Sequence, residues 1–597
     1  MSDSTGPNDP KDTKVTDTPL PDQKELEKEI GDYLTRKYGQ KVKIVSSGLL
    51  PQTEKDGEKQ SEKKAAKEEM PFNFHLKPEE LVEYLDEYIV QQHGAKAVLA
   101  TKICTHFNKI RFSAQRKHPF KSSVGQVKNN VLLLGPTGVG KTYMVKLIAD
   151  KLGVPFVKGD ATKFSETGYV GGDVDDLVRD LVRQADDNIE KAQFGIIYVD
   201  EIDKIAHAHG RHGLDVSRSG VQRALLKPME ETEVEMKVPH DMISQIEAME
   251  QYRATGKRER KTVNTRNILF VMSGAFDGID EIIHRRLHKK TIGFEGNISD
   301  HKQSKNVLSK VTSEDLIAYG FESEFIGRLP ITAVLDSLNK EDLTEILKNP
   351  NCAIINSKKQ DFMAYGISLG FESTVYPMIA ELALAQNTGA RGLVSVVEGI
   401  LLPFEKTLPS TGITHFVVDR SVVSDPDCQL RKLIEQKRVQ GRHLKMYNRV
   451  IKKEIEEARC YLAEKKINFF KNKGIVLTGK RTALMARQIV EESFEPDLVC
   501  DDIVALIEHI KGWEAIMSDQ CQLDIVFDDS AIDYILEQEP RQATTIDMIC
   551  EKTLKAIEYG AKLLRQKKHT QTIFITEAGV RAPENFINEL VEKSFKL

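Results

Sequence analysis

The residues best suited to chemistry form a Gly-x-x-x-x-Gly-Lys-Thr pattern, from Gly135 to Lys141 and Thr142. Glycines let successive backbone N–H groups curl around a phosphate, which a Cβ would obstruct. Gly135, Pro136, Thr137, Gly138, Val139 and Gly140 make such a cradle, with Tyr143 directly after it. In this pattern Lys141 reaches the β- and γ-phosphates of a nucleotide and Thr142 ligates Mg²⁺. A second reactive pair, Asp200-Glu201, closes the apolar run Gly195-Ile-Ile-Tyr-Val. There Asp200 is expected to hold Mg²⁺ through water, and Glu201 to polarise the water that attacks the γ-phosphate. An apolar run ending in two acids is by itself often a plain strand end. In a chain that also carries the phosphate loop, it makes ATP hydrolysis the expected chemistry rather than nucleotide binding alone.

These residues need particular elements to hold them. Val131–Leu134, bounded by Gly135 and Pro136, has the composition of a buried strand feeding a turn. A helix from about Lys141 to Leu152 aims its N-terminal dipole at the same anion. The run before Asp200 predicts a second central strand, with both acids at its carboxyl end, where ligands sit in open α/β sheets. Short strands alternate with helices from Phe72 to about Asp336, which predicts a parallel α/β sheet covered on both faces.

Composition bounds the rest. The chain has 597 residues, 40% of them hydrophobic, and a formal net charge of −5. At roughly 100–200 residues per domain, several domains are expected. The charge gives no bulk attraction to nucleic acid. No apolar stretch reaches about 18 residues, so no membrane span is predicted. The amino-terminal residues lack the apolar core of a secretory signal. Seven scattered cysteines form no C-x-x-C pair, so neither zinc nor a disulfide framework is expected, and a reducing, cytoplasmic setting follows. Residues 1–24 read as a disordered tail, 25–50 as a small helix–strand module, and 51–71 as a charged linker whose alternative role is a docking tail. A large ATPase domain is expected over 72–336, an α-rich small domain over 337–428, and a helical extension over 429–520.

Several motifs together carry a resemblance. They are G-P-T-G-V-G-K-T, G-Y-V-G (Gly168–Gly171), V-D-E-I-D-K-I (Val199–Ile205) and D-V-S-x-x-G-V-Q-x-A-L-L-K (Asp215–Lys227). S-G-A-F (Ser273–Phe276), E-F-I-G-R-L-P (Glu324–Pro330) and T-G-A-R-G-L (Thr388–Leu393) follow in order. In this combination the chain closely resembles ClpX-type AAA+ unfoldases over roughly Phe72 to Gln436. The resemblance implies a P-loop large domain with an α-rich lid domain, assembled as a homo-hexameric ring that uses ATP and Mg²⁺ to pull protein substrates through its pore.

The same resemblance assigns residues. Tyr169 and Val170 look like the pore-loop paddle; physically, a ring on a flexible loop grips an extended polypeptide by van der Waals contact without reading its sequence. Arg328 looks like an arginine finger acting on a neighbouring subunit's nucleotide, and Arg391 like the second sensor in cis. Ser273 is a candidate first sensor. Ile89 and Val90 match the apolar pair that packs on adenine, although Gln91 stands where the family has glycine. Ile292, Gly293 and Phe294 sit where the family carries the tripeptide that docks on a ClpP-type peptidase; exposed apolar side chains, tethered in six copies, would bind by avidity.

Departures limit the analogy. The family's four-cysteine zinc domain is absent, and no R-K-H pore-entrance loop precedes Ile268. The basic string Lys257–Lys261 reads either as a pore mouth suited to acidic tails or as a solvated loop. Beyond the resemblance, Leu523–Ile532 echoes Ser368–Tyr376 and Thr572–Glu577 echoes Thr414–Asp419. Residues 521–597 are therefore expected to be a degenerate copy of the small domain, with Thr544 at the place of Arg391. The rival readings are a peptidase-independent remodelling chaperone, an HslU-type unfoldase and an AAA+ nucleic-acid motor. The short stretch from Glu201 to Ile268 argues against the second, and the negative charge and Gly-Tyr-Val-Gly loop against the third.

Overall fold

Short apolar runs pair in the middle of the chain. A computed structural model describes residues 76–114, 128–165, 172–206, 216–236, 261–289, 307–538, 543–566 and 572–596. Tyr169, Val170, the tripeptide Ile292–Phe294, the amino-terminal module and most of the basic string lie outside the described residues. Strands β1 (Val131–Leu134), β2 (Phe156–Asp160) and β3 (Ile196–Asp200) precede a small antiparallel ribbon of β4 (Glu233–Glu235) and β5 (Thr262–Asn264). Strands β6 (Leu269–Gly274) and β7 (Ile331–Val334) complete a five-stranded parallel sheet, ordered β2-β3-β6-β1-β7.

Side chains alternate across this sheet. Leu132, Leu134, Ile197, Val199, Phe270 and Met272 bury into one layer. Val131, Leu133, Ile196, Tyr198, Leu269 and Val271 bury into the other, against the helices His93–Ala114 and Lys141–Leu152. Both faces are covered, which explains why the strands are apolar throughout rather than alternating. Leu134 stands opposite Gly274 and Val199 opposite Met272, so the carboxyl ends of β1, β3 and β6 lie level.

The next unit is helical around one parallel strand pair, β8 (Ser368–Phe371) and β9 (His415–Val418). Its core includes stacked Phe404 and Phe416, with ring centroids 4.5 Å apart. A 29-residue helix, Lys437–Lys465, packs on this strand pair, where His443 Nδ1 accepts from the Val417 amide at 3.3 Å, and continues beyond it. Further helices (Gly479–Glu491 and Pro496–Cys521) then bring in β10 (Asp524–Phe527) and β11 (Thr572–Ile575), again a parallel pair.

The succession around the two pairs is the same. Each first strand is followed by a ten-residue helix, Tyr376–Ala385 or Asp529–Gln538, and then a long one, Ala390–Thr407 or Ala543–Gln566. Each second strand is followed by a five-residue helix, Arg420–Ser424 or Glu577–Arg581, and by a helix opening on proline, Pro426 or Pro583. The amide after the first strand donates to the last carbonyl of the second in both: Glu372 to Val418 and Asp528 to Ile575, at 3.0 Å each.

Helix His93–Ala114 carries a titratable anchor. His106 is buried and its Nε2 lies 2.9 Å from the Asn267 carbonyl, at the entrance to β6. Burial pushes its imidazole down to about 4, an effect the carbonyl only partly offsets. The unfolded chain takes up its proton near pH 6.5, so the folded state carries no penalty above that pH and loses stability as pH falls toward 4. Relative to His106→Gln, the wild type is expected to lose roughly 3 kcal/mol between pH 6.5 and 4, at about 1.4 kcal/mol per unit. Urea denaturation of both proteins across that range measures it; parallel profiles would refute the assignment.

Candidate functional site

The sheet order builds the site. Strand β6 lies between β1 and β3, so a residue near its carboxyl end can bridge the phosphate loop and the acidic pair. Ser273 does this: its hydroxyl donates to Asp200 Oδ1 at 2.7 Å and lies 2.6 Å from the Tyr198 hydroxyl. Tyr198 in turn accepts from Thr142 Oγ1 at 3.0 Å, and Thr142 Oγ1 stands 3.5 Å from Asp200 Oδ2. Lys158, from β2, reaches Asp200 Oδ2 at 2.9 Å. Burial works to raise the Asp200 carboxyl, but hydrogen bonds from Ser273 and Lys158 outweigh it and hold the pKa below the usual carboxylate range. Asp200 is thus an anion at neutral pH, aimed at the hydroxyl of Thr142.

Lys141 is nearly buried and donates to the carbonyls of Gly135 and Pro136, at 2.5 and 2.8 Å. Burial lowers its pKa, while the carboxylates of Asp200 and Asp203 work in the opposite direction. Glu201 is exposed, with a left-handed backbone at φ 56°. A non-glycine residue held there at a strand end is a sign of a functional constraint. Asp203 is buried; its Oδ1 accepts from the Ala275 amide at 3.3 Å, tying the turn after β3 to the end of β6.

The small unit closes over the loop. The Ala390 amide donates to the Gly138 carbonyl at 2.9 Å. A Cβ on Gly138 would lie 2.1 Å from the Thr388 carbonyl oxygen, and Gly138 also has φ +75°. Only glycine satisfies both conditions. Arg391, the second residue of helix Ala390–Thr407, is exposed, and its charge acts on both Lys141 and Tyr198. Tyr143, partly exposed, follows Thr142 on the loop helix.

Ile89 and Val90 are buried in the link between two helices. The two residues after them have left-handed backbones, Gln91 at φ 58° and Gln92 at φ 59°. Gln91 thus takes a conformation that glycine adopts freely, and its side chain donates to Asp342 at 2.5 Å. Gln92 exchanges two 2.8 Å hydrogen bonds with the Asp336 backbone. The adenine-pair candidates are therefore tied to the stretch Asp336–Asp342 that follows β7.

Arg328 sits apart from this cluster. Its guanidinium pairs with Glu230, and its carbonyl accepts from buried Asn130 at 3.1 Å. Gln222 connects the two regions: its amide donates to the Ile205 carbonyl and accepts from the Glu322 amide, both at 2.9 Å.

Residues 126–332 match the family model described as AAA domain (Cdc48 subfamily). The chain is 38% identical over 366 residues to the ATP-dependent Clp protease ATP-binding subunit ClpX of Treponema denticola, covering 60% of the chain and 84% of the relative. It is 36% identical over 375 residues to the protein of the same description from Borrelia duttonii, covering 62% and 81%.

Sequence reasoning missed Tyr198, Lys158 and Asn130. The first had a signal, a hydroxyl within an otherwise aliphatic buried strand; the others depend on strand register. Ser273→Ala is expected to lower kcat for ATP hydrolysis about 10–100-fold while KM for ATP stays within about threefold, because it leaves Asp200 and Tyr198 each short of a partner. Steady-state ATPase assays measure it, and an unchanged kcat would refute the role.

Proposed function

Because the chain belongs to the ClpX family of ATP-binding Clp protease subunits, we propose that it is an ATP-dependent protein unfoldase, the motor half of a two-part protease. It is an AAA-domain ATPase of mixed α/β architecture. The observation that carries the reading is the meeting of the phosphate loop, the Thr142–Tyr198–Ser273–Asp200 chain and the small-domain backbone at Thr388–Ala390.

The residues present fit a Mg²⁺-bound nucleotide. Gly138 and Gly140 have positive φ, the loop opens onto the N-terminus of a 12-residue helix, and a hydroxyl and a carboxylate stand side by side. When bound, Mg²⁺ neutralises charge on the phosphates. Gly135 to Gly140 offer backbone amides, Lys141 an ammonium, and Thr142 and Asp200 the oxygen ligands. Glu201 orients and deprotonates the attacking water. Arg328 faces a neighbouring subunit, where a guanidinium stabilises charge on the transferring phosphoryl group. Arg391 senses the same nucleotide from the small domain and transmits its state to the angle between domains.

On this reading six copies form a ring, Tyr169 and Val170 grip substrate in its pore, and Ile292, Gly293 and Phe294 dock a ClpP-type peptidase. The protein acts in the cytoplasm, on polypeptides rather than nucleic acid or membrane. Residues 337–428 form the small domain, and 521–597 a second copy of it without the sensor arginine. In support of the copy, Thr544 is the second residue of its long helix, as Arg391 is in the first.

With a ClpP-type peptidase and ATP, the wild type is expected to degrade a folded, tagged reporter. A variant with Ile292–Phe294 replaced by Gly-Gly-Ser is expected to unfold the reporter at a similar rate without degrading it. Unfolding without degradation by both proteins would favour a free-standing remodeller. ATPase stimulation by DNA instead of unfolded protein would contradict both readings.

A further inference from the structure

Among the described residues, a dense polar cluster joins the C-terminal extension to both the large and the small domain. Glu87 lies in the last turn of helix Pro78–Tyr88, two residues before Ile89. Its carboxylate accepts from Lys466 Nζ and, at 3.2 Å, from the Tyr461 hydroxyl. Lys466 also donates to Asp497, whose other oxygen accepts from the Tyr88 hydroxyl. The Glu87 backbone carbonyl takes two more bonds, from Asn349 at 2.8 Å and Asn351 at 3.0 Å, both in the small domain. Asn351 closes the circuit on the Tyr461 hydroxyl at 3.0 Å.

Three bodies meet here. Glu87 and Tyr88 belong to the large domain, Asn349 and Asn351 to the small domain, and Tyr461, Lys466 and Asp497 to the extension. Lys466 is only 5% exposed. Burial pulls its pKa down, but the Asp497 carboxylate more than reverses this, so the ammonium stays charged. Asp497 is held below the usual carboxylate range against its own burial by the same lysine. One ammonium, two phenols and two amides satisfy the two carboxylates and a carbonyl, and only the Asn351 Oδ1 is left buried without a partner.

Such a network is a poor source of stability, since well-packed apolar residues of the same volume do as well or better. Its directional bonds fix where the turn lies. That turn leads directly into Ile89 and Val90, while Gln91 and Gln92 anchor the far side to Asp342 and Asp336. We propose that Lys466 is a positioning residue for nucleotide turnover: it holds the Glu87–Tyr88 turn so that the extension sets how tightly the ATPase grips adenine. This rests on the reading of Ile89 and Val90 as the adenine pair.

The test uses the full chain as wild type, Lys466→Met and Tyr88→Phe. ATPase rates against ATP concentration, equilibrium binding of a fluorescent ADP analogue and a thermal melt are measured for each. Lys466→Met is expected to raise both KM for ATP and Kd for the analogue about tenfold with kcat within about twofold, and Tyr88→Phe to raise both about threefold. A folded Lys466→Met with unmoved KM and Kd overturns the proposal, as does a fall in kcat alone, which a merely structural role would give. If Lys466→Met does not fold, unmoved values in Tyr88→Phe overturn it. A wild type that hydrolyses no ATP counts against the unfoldase reading instead, and analogue binding still decides the role of Lys466.

Discussion

The close backbone approach between the phosphate loop and the small domain is the constraint on which the rest depends. Gly138 has no room for a side chain because the Thr388 carbonyl occupies that space, and the Ala390 amide bonds back to the Gly138 carbonyl. The loop proposed to wrap a phosphate is thus also in backbone contact with the residues that open helix Ala390–Thr407. On the proposed reading, a change in the loop passes to the start of helix Ala390–Thr407, and a rotation of that helix passes to the loop. Arg391 adds charge at the same place. Coupling of this kind requires only a hinge and a ligand that favours one angle over another.

Beneath that contact the sheet supplies a rigid base. Because β6 separates β1 from β3, the hydroxyls of Ser273 and Tyr198 span the gap between Thr142 and Asp200. Strand β2 adds Lys158 from the far side of Asp200. The carboxylate is therefore fixed from two strands and kept ionised. Gln222 carries position outward, from the turn after β3 to the helix that ends at Arg328.

The architecture was legible in the sequence where one residue type does one job. Apolar runs closed by Gly-Pro or by Asp-Glu mark strands buried on both faces, and the glycine spacing marks the turn between strand and helix. What depends on register or distance was not legible. Lys158 meets Asp200 only because Asp160 pairs with Asp200 across two strands. Glu87 and Lys466 are 379 positions apart, and nothing in their local sequence distinguishes them from solvated charges. Gln91 was read as a misfit for a glycine position; it adopts the left-handed backbone and offsets the strain with a hydrogen bond to Asp342. The echo between the two strand pairs was visible because the buried positions of short strands tolerate few residue types, whereas the helices between them share order, and only the ten-residue ones share length.

The central claim is that ATP hydrolysis at Lys141, Asp200 and Glu201 drives the unfolding of protein. Its most direct test follows loss of fluorescence from a folded, tagged fluorescent protein, with a trap for unfolded product and no peptidase. Wild type is compared with Glu201→Gln, both with ATP. The account predicts fluorescence loss for the wild type, and none for Glu201→Gln although that variant still binds ATP. Equal unfolding by both, or none by a wild type that hydrolyses ATP, would contradict it.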